Sequence, residues 1–269
     1  MKKKISGMRV FGTIFLIICC ILSAIPIALG IARSLFVDSA FQTFNYFKSY
    51  LTVFKSDYVL SSFLRSGLIV IFSVPSTVII VILAAYGFSK FKFKGQNFIY
   101  IMLLSALMIP SATVMYPCFK IVRDLGIINK VPSVILTEIA YAIPLNLLMI
   151  KNFFDDIPND LLEAAQIDGA SSFRILWQIV VPIAKPAISV ITLWCFGGSW
   201  NDYLWPMLFF SDSSKKTVTL LPQYFMGTYQ QHYDEIFAAL IIIMIPTVIV
   251  YLTMQKYFDQ GIISGAVKG

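Results

Sequence analysis

The sequence predicts an all-α, polytopic membrane protein with six transmembrane helices, and three observations carry that reading. Of 269 residues, 58% are hydrophobic and only 13% charged, with a mean hydropathy of +0.80. A soluble domain of this size carries about 25% charged residues, so there is too little polar surface here to cover a water-facing globule. The second observation is a set of six apolar stretches, each near the roughly 20 residues that a helix needs to cross a bilayer. The third is the placement of positive charge. The net charge is +7, yet the lysines flank apolar runs, as in "MKKK" and "KFKFK", and do not line one basic face. That is how membrane topology is signalled, and it argues against a nucleic-acid partner.

Taken in order, the expected spans cover 10–32, 66–89, 97–119, 131–150, 186–210 and 236–255, within one membrane domain of 1–269. The first is longer than the apolar core of a secretion signal and lacks a small-residue cleavage site, so it reads as an uncleaved helix. The second and third are charge-free between Arg65 and Lys90 and between Lys94 and Lys120, and the fourth is broken only by Glu138. The fifth begins near Pro186 and runs through "LWCFGGSWNDYLWPMLFF"; the sixth is "IFAALIIIMIPTVIVYLTMQ". Six spans put both termini on one side, and the basic clusters at the start and after span two make that side the cytoplasm. The expected location is therefore the bacterial plasma membrane, with lipid as solvent. Pro26, Pro75, Pro110, Pro144 and Pro246 fall within spans, where each removes a backbone hydrogen bond and tends to bend its helix. They fit either ordinary bundle packing or bent helices around a pathway. Cys19, Cys20, Cys118 and Cys195 form no CxxC pair, and His232 stands alone, so no metal site is expected.

Between spans four and five, 151–185 stays outside the membrane. Ile157-Pro158 favours an extended residue and a helix start, and Asp160 and Glu163 suit a helix N-terminus. The helix "NDLLEAAQI" should stop at Asp168-Gly169, where glycine permits a left-handed turn. A second helix follows, with Phe173, Leu176, Trp177, Val180 and Val181 spaced along one apolar face, lying at the membrane surface and ending at Pro182. Ala164 and Ala165 leave a shallow surface for close approach, and Leu161 and Leu162 supply apolar contact. On these residues alone, the loop is either a connector packed on its own bundle or a docking site for a cytoplasmic partner.

Inside the spans the exceptional ionisable group is Glu138, in "VILTEIAYAIP" with Tyr141. A charge near the bilayer centre costs about 2.5–3.5 kcal/mol on insertion scales, so this glutamate should face protein or water. It bonds a neighbouring helix or lines a substrate pathway. In the fifth span, Trp200 and Asn201 are further pathway candidates, while Trp205 fits an interfacial aromatic belt. No G-x4-G-K-[ST] phosphate loop occurs, so energy must come from another subunit or from a gradient.

Glu163-Ala164-Ala165, Gly169, Ile179 and Pro182 resemble the E-A-A-x3-G-x9-I-x-L-P motif of ABC importer membrane subunits. Val181 stands where leucine is usual and keeps the apolar bulk. Asp168 and Ala170 around the glycine, and Pro186, are similar to the carbohydrate branch. "SWNDYLWPMLFFSD", the tail "QKYFDQGIISGAVKG" and "NYFKSYLTVF" extend the resemblance along essentially the whole chain, to the second permease subunit of maltose-type systems. The resemblance implies an ABC type I importer permease fold and a non-catalytic transport subunit. Its implied partners are a second, related permease subunit, two cytoplasmic ATPases that hold ATP and Mg, and an extracellular solute-binding protein. It also implies that Leu161, Leu162, Glu163, Ala164, Ala165, Asp168 and Gly169 couple to the ATPase, with Gly265 and Lys268 of the tail as further contacts. The competing classes are a gradient-driven secondary transporter, for which Glu138 is the sole support, and a scaffold subunit of a membrane enzyme.

Overall fold

The computed structural model describes residues 7–37, 42–226 and 232–266. They are overwhelmingly helical, with an isolated β-bridge between Phe36 and Phe44. Four helices are long and apolar enough to cross a membrane unbroken, over Val10–Leu35, Asp57–Lys90, Val131–Asp155 and Tyr233–Gln255. They belong to α1 (Gly7–Leu35), α3 (Asp57–Lys90), α6 (Val131–Asp155) and α12 (Tyr233–Ala266), with the short α2 (Lys48–Lys55) after α1. Two bent pairs complete six spans if each counts as one. Gln96–Met108 and Ser111–Asp124 meet at 106°, and Ser172–Ile183 and Lys185–Phe209 at 81°.

The span expected over 97–119, with Pro110 tending to bend it, is broken into α4 (Gln96–Ser105) and α5 (Ser111–Asp124). The cause is Pro110. It offers no N–H, and the residue before a proline is driven out of helical conformation; Ile109 is extended, with φ −92° and ψ 116°. Pro26, Pro75, Pro144 and Pro246 all sit within continuous helices. Proline breaks a helix here only where the preceding residue also leaves it.

The chain divides into two compact units, Met1–Leu60 with Leu221–Ile245, and Ser61–Leu220 with Pro246–Gly269. In the first, a polar chain of contacts organises the segment before α2. Asn45 donates to the Ser34 carbonyl at 3.1 Å and to the Ser49 hydroxyl at 2.7 Å, and Ser49 donates to Asp234 at 2.5 Å. Most of α1 leaves its apolar side chains exposed, as lipid contact requires; Phe15, Leu16 and Ile21 are all more than half exposed.

In the second unit, one apolar core joins Val81, Ile82 and Ala85 of α3 to Leu147, Ile150 and Phe154 of α6. The same core takes in Ile157, Leu162, Ile175, Leu176 and Val180 from the loop that follows, so the loop is packed onto the ends of the helices that carry it. A second cluster gathers Ile69, Val122, Val134, Trp205, Phe209 and Phe210. Beyond it, Asn129 (φ 60°) accepts from the backbone N–H groups of Ser211 (2.9 Å) and Asp212 (3.2 Å). Asp212 in turn accepts from the Ser214 hydroxyl and backbone N–H and faces Lys215, which holds its carboxyl below the ordinary carboxylate range.

Candidate functional site: an outward loop and a polar chamber

The loop is built from α7 (Asn159–Ile167), α8 (Ser172–Ile175), a π-helical turn (Leu176–Val180) and α9 (Val181–Ile183). Pro158 stands at the N-cap of α7, with Asp160 in the first turn, where its charge opposes the positive helix end. The helix ends as its sequence requires. The Ala170 N–H donates to the Ala165 carbonyl at 3.0 Å and the Gly169 N–H to the Gln166 carbonyl at 2.9 Å. Those two bonds, with Gly169 at φ 81°, make a Schellman cap that consumes the last free carbonyls. The next helix starts on Ser171, whose side chain accepts from the Arg174 N–H. The loop is also tied from outside: the Lys90 ammonium donates to the Ile157 carbonyl (2.8 Å) and to the Asn159 side chain (3.1 Å).

These constraints fix which face of α7 is free. Leu162 is buried at 5% exposure and Ala165 packs against the core, while Leu161, Glu163, Ala164, Asp168 and Gly169 lie on the open side. Ile167 is 87% exposed and Phe173 68%, so an apolar ridge accompanies the polar residues. Ile167 was absent from the sequence-derived set, although an isoleucine at the end of a polar helix was a visible signal. Of the apolar face expected for the second helix, Leu176 and Val180 are buried and Trp177 and Val181 pack against the core, while Phe173 points outward and Ile175 is buried in its place. The π turn widens the repeat from i+4 to i+5, with the Val181 N–H donating to the Leu176 carbonyl, before the α pattern resumes in α9. In the tail, Gly265 lies in the backbone of α12, and Lys268 lies outside the described residues.

The second feature is a chamber of about 350 Å³ between α3, α6 and the region joining α10 (Lys185–Trp200) to α11 (Leu204–Phe209). Glu138 sits on its wall and accepts from the Ser199 hydroxyl at 2.6 Å; Ser199 in turn lies 3.1 Å from Ser73. Asp202 is an electrostatic neighbour of Glu138. One Asp202 oxygen accepts the backbone N–H groups of Leu204 (3.0 Å) and Trp205 (3.4 Å) and so caps α11. Asn146, only 1% exposed, donates to the Ala142 carbonyl at 2.7 Å. Glu138 and Asp202 also hydrogen-bond each other as a carboxyl pair, while Asn146 Oδ1 is buried without a protein partner. A buried acceptor left unpaired costs about 1–3 kcal/mol.

Of the four pathway candidates, the chamber brings together two. Glu138 and Tyr141 line it, and Tyr141 meets the Trp205 ring edge-on at 6.1 Å. Trp200 is instead buried, stacked on Phe196 at 6.1 Å with Phe63 against its edge at 5.7 Å. Asn201 is exposed and donates to the Gly197 carbonyl at 2.9 Å, closing α10. Trp205, expected at an interface, is 5% exposed, because α11 folds back over α5 and α6 and carries it inward. Ser73, Asn146, Ser199 and Asp202 were not singled out from the sequence. Single serines and an asparagine in apolar helices carry no spacing that marks them, whereas Asp202, an acid inside the expected fifth span, was a visible signal of the same kind as Glu138.

A helical membrane chain with an outward helix–turn–helix between two spans, and a polar chamber among the spans, is built as a transport subunit. Residues 49–264 match the family described as "Binding-protein-dependent transport system inner membrane component", and the chain belongs to that family. It is 34% identical over 210 residues to the melibiose/raffinose/stachyose import permease protein MelC of Bacillus subtilis, covering 78% of this chain and 76% of that one. It is 34% identical over 210 residues to the trehalose/maltose transport system permease protein MalG of Thermococcus litoralis, covering 77% and 76%. Its fold is that of a subunit in the crystal structure of a bacterial ABC transporter that imports the acidic polysaccharide alginate. The TM-score is 0.79 at 24% identity, over 96% of this chain and all of that one.

Proposed function

We propose that this chain forms half of the translocation pathway of an ATP-driven carbohydrate importer, and that 151–185 is where an ATPase subunit drives it. The observation that carries the coupling role is the two-sidedness of α7. Leu162 and Ile157 fasten the helix to the ends of α3 and α6, while Glu163, Ala164, Ile167, Asp168 and Gly169 face outward with no protein over them. A helix held on one side by two spans can pass a push from a partner into both. The small Ala164 and Gly169 let that partner approach closely, Leu161 adds apolar contact, and Glu163 and Asp168 offer charged anchors. The partners are then two ATPases carrying ATP and Mg, a second permease subunit and an external solute-binding protein. The loop and both termini lie in the cytoplasm, with Gly265 and Lys268 near the ATPase. The sugar specificities in the names of MelC and MalG support the carbohydrate assignment.

Complexes purified through this chain should contain an ATPase, and Gly169→Asp should abolish sugar uptake in cells while leaving the chain in the membrane. Uptake that survives Gly169→Asp refutes the coupling role. Uptake that persists after ATP depletion and collapses with the proton gradient refutes the importer assignment.

A further inference from the structure

The chamber beside Glu138 is lined by hydrogen-bonding side chains and by aromatic rings, and its lining contains no lysine, arginine or histidine. Asn146 is almost wholly buried with its side-chain oxygen unpartnered, and beside it Glu138 and Asp202 form a carboxyl pair hydrogen-bonded to each other. A buried acceptor of this kind calls for a donor from outside the protein. Tyr141 and Trp205 add apolar ring surface to the same lining, and the chamber volume falls within the range of about 300–1,000 Å³ typical of small-molecule sites.

We propose that this chamber binds sugar hydroxyls directly and selects by charge, admitting neutral and amino sugars and rejecting acidic ones. The inference rests on the carbohydrate-importer reading above and adds that this chain itself touches the substrate. Hydroxyl and ammonium groups bring donors to the Asn146 oxygen and to the carboxyl pair. A uronate would bring a carboxylate into a space that already holds two carboxyl groups and no cation, where like charges repel without screening by water. The alginate importer shares this fold and handles an acidic polysaccharide. The fold therefore leaves charge preference open, and the lining decides it.

The test uses the whole transporter, both permease subunits with their ATPases, in lipid nanodiscs without the binding protein, so that only the membrane site is read. Equilibrium dialysis with radiolabelled raffinose, chitobiose and digalacturonate should show the first two bound and the third weaker by about tenfold or more. Glu138→Gln combined with Asp202→Asn should lower raffinose affinity by about tenfold and shrink the discrimination against digalacturonate. Co-purification of the partner subunits shows whether the double variant has assembled; if it has not, the wild-type comparison decides alone. Equal binding of digalacturonate and raffinose overturns the proposal, as does a complex that binds none of the three. ATP hydrolysis stimulated by the binding protein is measured in parallel. Its presence alongside equal digalacturonate binding sinks the charge selection alone, whereas a complex without any ATPase sinks the importer reading itself.

Discussion

Two polar islands interrupt this apolar chain, and they are built in opposite ways. The loop at 151–185 is local. Its helix, its glycine turn and its second helix follow one another in sequence, and most of its polar groups are capped within it, tied by Lys90 or exposed, with Trp177 Nε1 the buried exception. The chamber is assembled from afar: Glu138 and Ser199 are 61 positions apart, and Ser73 and Ser199 126. Its acceptors are buried and incompletely satisfied. The loop is a surface closed by local bonds, and the chamber is a set of hydrogen bonds assembled between helices. Changes that attack packing, turn geometry or hydrogen bonding should therefore act very differently in the two places.

The largest effect on stability is expected where the loop is fastened. Phe154 is fully buried in the core shared by α3, α6 and the loop. Truncation to alanine leaves a large cavity, and Phe154→Ala should cost about 3–5 kcal/mol, read as a drop in the melting temperature of the purified protein. Trp194→Ala, at a residue 62% exposed on the chamber's rim, should leave melting nearly unchanged. Equal losses from the two would show that the loop is not held by this core.

Next comes the turn itself. Gly169 has φ 81°, yet a Cβ placed on it meets nothing within 4 Å. Any penalty there is conformational and not steric. Gly169→Val should cost about 1–2 kcal/mol, the strain of a left-handed residue with a side chain, whereas Gly169→Asn should cost less because asparagine visits that region. Melting curves of the two variants separate these outcomes. If asparagine and valine also abolish sugar uptake equally, it is the bare glycine surface that matters to the partner, and not the turn.

The same contrast explains what could be read from the sequence. The helix–turn–helix was legible because each signal was local: Pro158 at the start, Asp168-Gly169 at the stop, Pro182 at the end. The positions of the spans were legible because apolar length is a local property too. The bend at Pro110 was weighed and not placed, since five prolines looked alike and only Ile109 leaves helical conformation before its proline. The π turn at Leu176–Val180 escaped because a regular 3.6-residue repeat was imposed across it. In the chamber, Glu138 and Tyr141 were found because a charge among apolar residues is conspicuous. Ser73, Asn146 and Ser199 were not, because their meaning lies in which helices α6 packs against.

A smaller effect is expected from the chamber's own hydrogen bonds. Ser199 donates to Glu138 and lies against Ser73, so Ser199→Ala removes a hydroxyl that joins α10 to α6 and α3. Interhelical bonds in membranes average about 0.6 kcal/mol and reach about 1.7, and the loss in thermal melting should fall in that range. Ser199 also holds the Glu138 carboxyl in place, which sharpens the comparison: raffinose binding should weaken along with stability. In the loop, no single hydrogen bond links stability to ligand in this way.

The smallest stability effect belongs to the loop's outer face. Ile167 is 87% exposed and contributes nothing to the core, so Ile167→Ser should change stability by less than about 0.5 kcal/mol. Its role, if the docking assignment is right, is apolar contact with the ATPase, as anchors of this kind concentrate binding energy at interfaces. Sugar uptake should then fall although the protein melts as before, and less ATPase should co-purify. The conservative Ile167→Leu should restore both, since the ridge needs bulk and not a particular branching. Unchanged uptake in Ile167→Ser would confine docking to the Glu163–Ala164–Gly169 surface and leave the exposed isoleucine as a bystander. A drop in melting temperature would instead mean that Ile167 is covered in the assembled transporter by the second permease subunit, because the described residues leave it 87% exposed.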